Sequence, residues 1–345
     1  MVYTTLPNVG FVTRAKYPDN WSECLFMGPG AKRAVLSTPG FPSDLPRPDK
    51  PSHKICETPT AGGLGMVATR DLKMGDLITS ERPLFVTCCA SYIPTNTAPG
   101  TPMAQVIQAS LAQWEKYLEC AFNRMTEKNQ AAFRALANSH TEDGSGPLLG
   151  VVRTNGFGIA LDKNEKGEDQ MYSAIYDHLS RANHSCRPNA AHTFNIASFS
   201  GQLRAVRDVK TGEEIFVDYC AIEEPTAKRQ KKLEPYGFQC ACPSCTDPNS
   251  DRKLREILAS VKGLGGYRHM TSRADEMRRL EVSLGWLKKI EELGLQKLEA
   301  YERHMEAVSR SSMFLGKSEN FVKYGPLRSA WQDATRGDPK VLTLF

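Results

Sequence analysis

Three cysteines lie within six residues of this 345-residue chain, at Cys240, Cys242 and Cys245. This spacing is typical of structural zinc sites, in which four soft ligands surround the metal as a tetrahedron. One short turn supplies three thiolates but not the fourth. We expect Cys186 to be the fourth ligand if the fold brings it close, and the alternative is three unrelated thiols in a loop.

The remaining cysteines have no ligand-like spacing, and we interpret them as small buried apolar side chains. They are Cys24, Cys56, Cys88, Cys89, Cys120 and Cys220. Residues 1–7 lack the pattern of a signal peptide, and no run of about 18 apolar residues predicts a transmembrane helix. We therefore expect a nuclear or cytoplasmic protein without membrane contact, in a reducing compartment where disulfides are rare.

The net charge of +5 is small for this length, and lysines and arginines are dispersed among acidic residues. This distribution argues against direct nucleic-acid binding, which needs a basic stripe. The basic run at residues 228–232 (KRQKK) has two interpretations: a nuclear address or nucleic-acid patch, or the solvated face of a helix. The nearby acidic residues Glu223, Glu224 and Glu234 favour the solvated face.

Three further segments have sequences that suit a ligand-binding site. Residues 183–189 (NHSCRPN) lie before an apolar strand, and the amide of Asn183 suits both ends of an amino-acid-like ligand. Residues 214–219 (EIFVDY) predict a buried strand that ends in Asp218 and Tyr219. Residues 63–65 (GLG) predict a flexible turn whose glycines allow a ligand to approach the backbone, although this signal is weak alone.

Apolar alternation predicts strands from residue 55 onward, at 77–81 and at 151–161, and a hairpin of 192–198 with 203–206 around Ser200 and Gly201. Helical spacing predicts helices over 103–137, 171–181, 226–233, 253–261, 274–293 and 296–312. Within the first helix, the expected buried face consists of Ile107, Leu111, Trp114 and Leu118. Proline and glycine over residues 36–51 predict an extended linker.

In this order, the segments resemble the SET domain over about residues 55–246, and in particular the SET-and-MYND (SMYD-like) and fungal SET group. Residues 203–214 (LRAVRDVKTGEE) strengthen the resemblance. Two departures are the absence of the MYND zinc finger, and Ala182 at a position where the group has a larger apolar residue. A smaller residue there is expected to widen the substrate channel or alter its partner.

The resemblance implies a mostly β SET fold of small sheets with a pseudoknot, in which residues 183–186 and 214–219 thread together. It implies inserted helices, a zinc-bound post-SET motif and an α-helical C-terminal region. The predicted organisation is a Pro/Gly-rich N-terminal segment (1–54), a SET domain (55–225) with a helical insert at about 100–147, a post-SET zinc motif (226–250) and a helical region (251–345).

The resemblance also implies S-adenosyl-L-methionine as cofactor and one structural zinc ion. Tyr219 is the implied catalytic residue, and Cys186, Cys240, Cys242 and Cys245 are the implied zinc ligands. The implied cofactor-binding residues are Gly63, Leu64, Gly65, Asn155, Asn183, His184, Tyr219, Tyr236 and Phe238. Of these, His184 is expected to use its backbone, and Tyr236 and Phe238 to close the channel over the adenine.

The implied function is methyl transfer to lysine side chains of a histone tail or another protein, by a monomer. Two alternatives stay open, because a fold does not fix a function. One is an enzyme of small-molecule metabolism that uses the same cofactor pocket. The other is a module that binds cofactor or protein without catalysis.

Overall fold

The computed structural model describes residues 1–7, 21–59, 63–88, 97–98, 100–163, 167–264 and 272–337. Its strands are β1 (Val2–Leu6), β2 (Ser22–Phe26), β3 (His53–Thr58), β4 (Gly63–Ala68), β5 (Leu77–Glu81), β6 (Phe85–Cys88), β7 (Phe157–Lys163), β8 (Asp169–Ile175), β9 (Asn183–His184), β10 (Ala190–Asn195), β11 (Ser200–Ala205) and β12 (Phe216–Val217). Its α-helices are α1 (Pro29–Ser37), α2 (Met103–Phe122), α3 (Glu127–Arg134), α4 (Pro147–Asn155), α5 (Thr226–Leu233), α6 (Pro243–Thr246), α7 (Ser250–Ser260), α8 (Arg273–Glu292), α9 (Glu299–Leu315) and α10 (Ser318–Arg336).

Within the described residues, the strands form four small sheets. The largest has the order β1-β2-β6-β8-β7, and a second has the order β10-β11-β5. The hairpin β3-β4 is antiparallel, whereas β9 and β12 pair in parallel. Small sheets surrounded by helices agree with the predicted SET fold, and the helical C-terminal region is present as expected.

The N-terminal residues are part of this core. Strands β1 and β2 extend the large sheet, and Leu6, Leu25 and Phe26 are fully buried. Residues 38–52, most of the predicted linker, form no helix or strand. They are nevertheless attached to the body, because the N–H of Ser43 donates to the carbonyl of Ala197 at 2.8 Å. The predicted N-terminal segment therefore contributes two strands to the sheet, and its linker also contacts the body.

Several predicted elements are wrong. Residues 171–175, predicted as the start of a helix, belong to β8, where Tyr172 and Ala174 alternate inward with the period of a strand. Residues 151–155, predicted as strand, end α4, which Pro147 begins. The predicted glycine turn at residues 63–65 is the start of β4.

In α2, the core face contains Val106 rather than Ile107, which is 48% exposed. The two positions are neighbours on a helix, so apolar spacing alone did not separate them. Among the cysteines expected to be buried, Cys24, Cys88 and Cys220 are buried, Cys56 is half-buried and Cys120 is exposed. Cys89 lies outside the described residues.

The C-terminal helices α7 to α10 enclose a second apolar core that includes Leu280, Leu287, Tyr301 and Met305. Helix α10 was not predicted, because Gly325 and Pro326 inside it are helix-breaking signals. None of the described helices combines the length and the apolar character needed to cross a membrane.

The two cores are in direct contact. Ile222, which follows the last SET-like strand, is buried within the helical core, and Met74 packs against it. Gly75, with φ of +89°, approaches α10 so closely that a β-carbon there would lie 2.8 Å from Cβ of Ala330. These contacts fix the helical region against the sheets.

Candidate active site and cysteine cluster

The segments 183–186 and 214–219 thread together as predicted. Phe216 pairs with Asn183, and Val217 pairs with His184, in the parallel β9–β12 ladder. The side chain of Asn189 donates to the carbonyl of Glu214 at 2.8 Å and accepts from the N–H of Phe216 at 2.7 Å. This side-chain amide is completely buried. It supplies hydrogen bonds to two backbone groups beside the short ladder and so holds the crossing in place.

A cavity of about 450 Å³ lies beside this crossing. It is lined by eight of the nine residues predicted to bind cofactor: Gly63, Leu64, Asn155, Asn183, His184, Tyr219, Tyr236 and Phe238. The ninth, Gly65, is not among the lining residues. The cavity also includes residues that the sequence analysis missed: Ala135, Leu136, Ala137, Thr154, Ser180, Arg181, Gly237 and Gln239.

Gly65 acts one layer behind the cavity wall. A β-carbon at this position would lie 2.6 Å from Oε1 of Glu214 and 2.7 Å from the side chain of Thr58. Glu214 Oε1 accepts hydrogen bonds from Thr58 Oγ1 at 3.0 Å and from Asn183 Nδ2 at 2.8 Å. The missing side chain of Gly65 thus leaves room for the carboxylate that orients Asn183.

Asn183 also donates from Nδ2 to the carbonyl of Leu64 at 3.3 Å. With both amide hydrogens used inside the protein, its Oδ1 is the atom left to accept from a ligand in the cavity. Asn155 differs, because its Nδ2 donates to the carbonyls of Ala137 and Val151 at 2.7 and 2.8 Å and so caps the end of α4. Its predicted role in cofactor binding stays a prediction.

His184 connects the cavity to the cysteines. Its Nδ1 accepts the backbone N–H of Tyr219 at 3.0 Å, so the ring hydrogen is on Nε2, which lies 3.4 Å from Sγ of Cys186. Burial lowers the pKa of His184 to about 4, which keeps the ring neutral. The imidazole is therefore fully engaged in the protein, and the predicted contact of the His184 backbone with cofactor stays a prediction.

Tyr219 forms the centre of an aromatic wall. Its ring centroid lies 4.9 Å from that of Tyr236 and 6.5 Å from that of Phe238. Its hydroxyl donates to the carbonyl of Ala182 at 2.9 Å, and burial raises the pKa of Tyr219 above its ordinary value. The hydroxyl is therefore neutral and held in position by the residue that was singled out as unusually small.

Two carboxylates lie behind the site, and their roles in positioning it were not predicted. One is Glu214. The other is Glu81, on β5, which accepts the backbone N–H groups of Asp177 at 2.7 Å and of Leu179 at 3.0 Å. Burial raises the pKa of Glu81. These hydrogen bonds hold the turn at residues 177–179, which leads into Asn183. A side chain on a strand about 100 residues earlier thus positions part of the cavity wall.

The four predicted zinc ligands converge. The sulfur atoms of Cys186, Cys240, Cys242 and Cys245 all lie within 4.8 Å of one another, and those of Cys186 and Cys245 are 3.5 Å apart. A tetrahedral zinc ion with Zn–S distances of about 2.3 Å would place its sulfur ligands about 3.8 Å apart. The donor set and its spacing fit zinc, and no other such cluster occurs in the described part of the chain.

The helical region reaches this site through one ion pair. Lys297 donates from Nζ to Oδ1 of Asp218, the residue before Tyr219, and both side chains are mostly buried. Beside them, Arg187 packs against Gly294 in the loop between α8 and α9. The helical region thus contacts Asp218, at the end of the 214–219 segment, and Arg187, next to the 183–186 segment.

Residues 63–220 match the family described as the SET domain. This part of the chain is a SET domain. Over 206 residues, the chain is 31% identical to "Histone-lysine N-methyltransferase set5" of Schizosaccharomyces pombe, and the match covers 59% of this chain and 53% of that protein. Over 165 residues it is 28% identical to "N-lysine methyltransferase SMYD2" of Homo sapiens, with coverages of 46% and 36%.

The chain therefore spans about half or less of the length of these curated relatives. Among solved structures, "Crystal structure of the SET domain of LSMT bound to Lysine and AdoHcy" covers 89% of this chain at 12% identity. The TM-score of that pair is 0.33, and the match covers 88% of the other chain.

Proposed function

We propose that this chain transfers methyl groups from S-adenosyl-L-methionine to lysine side chains of proteins. The observation that carries the proposal is the cavity that unites Asn183, His184 and Tyr219 with Tyr236 and Phe238 at the crossing of a SET domain. The relatives named as lysine methyltransferases support it.

The cavity fits the proposed cofactor chemically. One part presents the Asn183 amide and the Arg181 guanidinium, which suit the ammonium and carboxylate of an amino acid. Another part presents the rings of Tyr236 and Phe238, which suit a planar base. When bound, S-adenosyl-L-methionine supplies a methyl group on a positively charged sulfur.

Tyr219 then has the task of orienting the lysine amine. Displacement at a methyl group needs an aligned, desolvated nucleophile more than it needs a base. Loss of water in a narrow apolar channel disfavours the charged ammonium, so it helps the lysine to lose its proton. The neutral Tyr219 hydroxyl, anchored on Ala182, provides a fixed dipole at the aromatic wall.

We further propose that Cys186, Cys240, Cys242 and Cys245 hold one structural zinc ion. Cys240 lies two residues after Phe238 and four after Tyr236, so a metal at the cluster would restrain the aromatic wall. The substrate class is proposed as a histone tail or another protein, and the protein as a monomer of the nucleus or cytoplasm that binds neither nucleic acid nor membrane.

The test is incubation of the purified chain with radiolabelled S-adenosyl-L-methionine and, in parallel, histones, cell extract and small metabolites. We expect label on protein lysine, and cofactor binding by calorimetry that weakens in Asn183→Ala but not in Tyr219→Phe. Label on a small molecule would replace the proposal with the metabolic alternative. Cofactor binding without any labelled product would favour the non-catalytic one.

A further inference from the structure

Arg229 has surroundings unlike those of the lysines near it. It belongs to the basic run 228–232 on α5, yet its side chain is only 1% exposed, whereas Lys228, Lys231 and Lys232 are exposed. The solvated helix face expected from the sequence therefore does not include Arg229. A buried guanidinium needs a compensating charge or a full set of acceptors, because removing a cation from water is unfavourable.

The acceptors around Arg229 include two cysteine sulfurs of the cluster. Its Nε lies 3.2 Å from Sγ of Cys186, and its Nη2 lies 3.9 Å from Sγ of Cys245. Nη2 also donates to the carbonyl of Ser244 at 3.1 Å, and Nη1 donates to the carbonyl of Glu224. The guanidinium is thus directed at the cluster and at the turn that carries it.

The nearest carboxylate does not account for the charge. Asp251 lies 4.0 Å from Nη1 and is about one-third exposed, and its Oδ1 already accepts from the backbone and hydroxyl of Thr226. Neutral thiols are weak acceptors, whereas thiolates form charge-assisted hydrogen bonds. Four thiolates around one Zn²⁺ carry a net charge of about −2, so a fixed cation beside the sulfurs stabilises the loaded cluster.

We infer that Arg229 is the charge partner of the cysteine cluster, a positioning residue that balances the zinc–thiolate charge and slows loss of the metal. This inference rests on the proposed zinc site. A neighbour supports the same helix as the scaffold of the cluster: the Gln230 amide donates to the carbonyl of Cys240 at 2.7 Å and accepts its N–H at 3.1 Å. Helix α5 therefore places the Arg229 charge beside Cys186 and Cys245. It also holds the backbone of Cys240 through two hydrogen bonds made by the Gln230 side chain.

The experiment first measures zinc per chain in the wild-type protein by mass spectrometry, which tests the zinc site alone. It then follows zinc transfer to a chromogenic chelator in the wild type, Arg229→Gln, Arg229→Lys and the control Lys231→Gln, which removes an exposed charge from the same helix. Circular dichroism confirms folding in each case. None of these readouts depends on methyl transfer.

Loss of a partner outside the ligand shell typically weakens metal binding by about 10- to 100-fold. We expect Arg229→Gln to release zinc faster by a factor in this range, and Lys231→Gln to match the wild type. Arg229→Lys restores the charge without the planar donors, so it should recover most of the wild-type rate. Cobalt-substituted protein should show a shifted sulfur-to-metal charge-transfer band in Arg229→Gln only.

Equal zinc release from Arg229→Gln and Arg229→Lys would overturn the inference, because the residue would then matter for its shape and not for its charge. Failure of both variants to fold would overturn it for the same reason. If only Arg229→Lys folds and retains zinc, the requirement for charge is supported. A wild-type protein that folds without zinc would defeat the zinc site itself, and the inference with it.

Discussion

The SET-domain part and the helical C-terminal region of this protein are assembled in opposite ways. The cavity is built from pairs that are far apart in sequence: Asn183 bonds to the carbonyl of Leu64 across 119 residues, and Glu81 holds the backbone near position 178. The helical region is built from successive helices that pack on their neighbours. We therefore expect substitutions near the cavity to alter function, and substitutions in the helical region to alter stability.

The largest effect is expected for Tyr219→Phe. Removal of one oxygen keeps the aromatic wall but loses the fixed dipole on Ala182. Turnover on a confirmed lysine substrate should fall by about 100-fold or more, while cofactor affinity and melting temperature stay close to wild type. Steady-state kinetics with calorimetry measure both, and unchanged turnover would remove Tyr219 from the mechanism.

Gly65→Ala tests whether the second layer of the cavity is as sensitive as its lining. The added methyl group would clash with Glu214 and Thr58, because its carbon would lie only 2.6 and 2.7 Å from their side-chain atoms, well inside van der Waals contact. We expect a loss of about 3 kcal/mol in the free energy of unfolding, and weaker cofactor binding as Asn183 shifts. Gly63→Ala is the control for the free energy of unfolding only, because its methyl group would meet no protein atom within 4 Å although the residue lines the cavity.

His304→Gln tests the helical region through pH. The imidazole is fully buried and stacks on the ring of Trp286. Its Nε2 forms a hydrogen bond with Oγ of Ser260 at 2.9 Å. Burial lowers the pKa of His304 to about 4, from about 6.5 when unfolded. The unfolded chain therefore binds the proton first as pH falls, and stability is lost between about pH 6.5 and 4.

At pH 5, His304 alone lowers the free energy of unfolding by up to about 2 kcal/mol relative to its value at neutral pH. Urea unfolding at pH 7 and pH 5 should show a smaller difference in His304→Gln than in wild type, with cofactor affinity at pH 7 unchanged. If His304→Gln loses as much free energy of unfolding between pH 7 and pH 5 as the wild type does, groups other than His304 control the acid sensitivity.

The smallest effect is expected for Lys297→Met, at the joint between the two regions. It leaves Asp218 half-buried without its cation. We expect the free energy of unfolding to fall by about 1 kcal/mol, and turnover to fall modestly because Asp218 precedes Tyr219. Lys163→Met breaks the exposed pair with Asp169 and should change neither quantity measurably. Identical results for both lysines would mean that the ion pair at the joint is without consequence.

The difference in assembly also explains what the sequence could predict. The cysteine cluster and the 226–233 helix were predicted because each is a local pattern, whereas the threading of 183–186 with 214–219 was predicted only through the family resemblance. The roles of Glu81 and Glu214, and the burial of Arg229, were not predicted, because each depends on what the fold places beside it. The β8 strand was predicted as helix because a short apolar run does not reveal its period until the sheet around it is known.

The contacts of Ile222, Met74 and Gly75 with the helical core have a thermodynamic consequence. Part of the apolar surface that closes the helical core belongs to chain segments of the SET domain, so neither core is complete when the other is open. Cooperative units of this kind unfold together. Scanning calorimetry should therefore record one heat-absorption peak whose van't Hoff and calorimetric enthalpies agree, and a chain shortened after Thr246 should lose its sharp transition rather than melt as a smaller independent body.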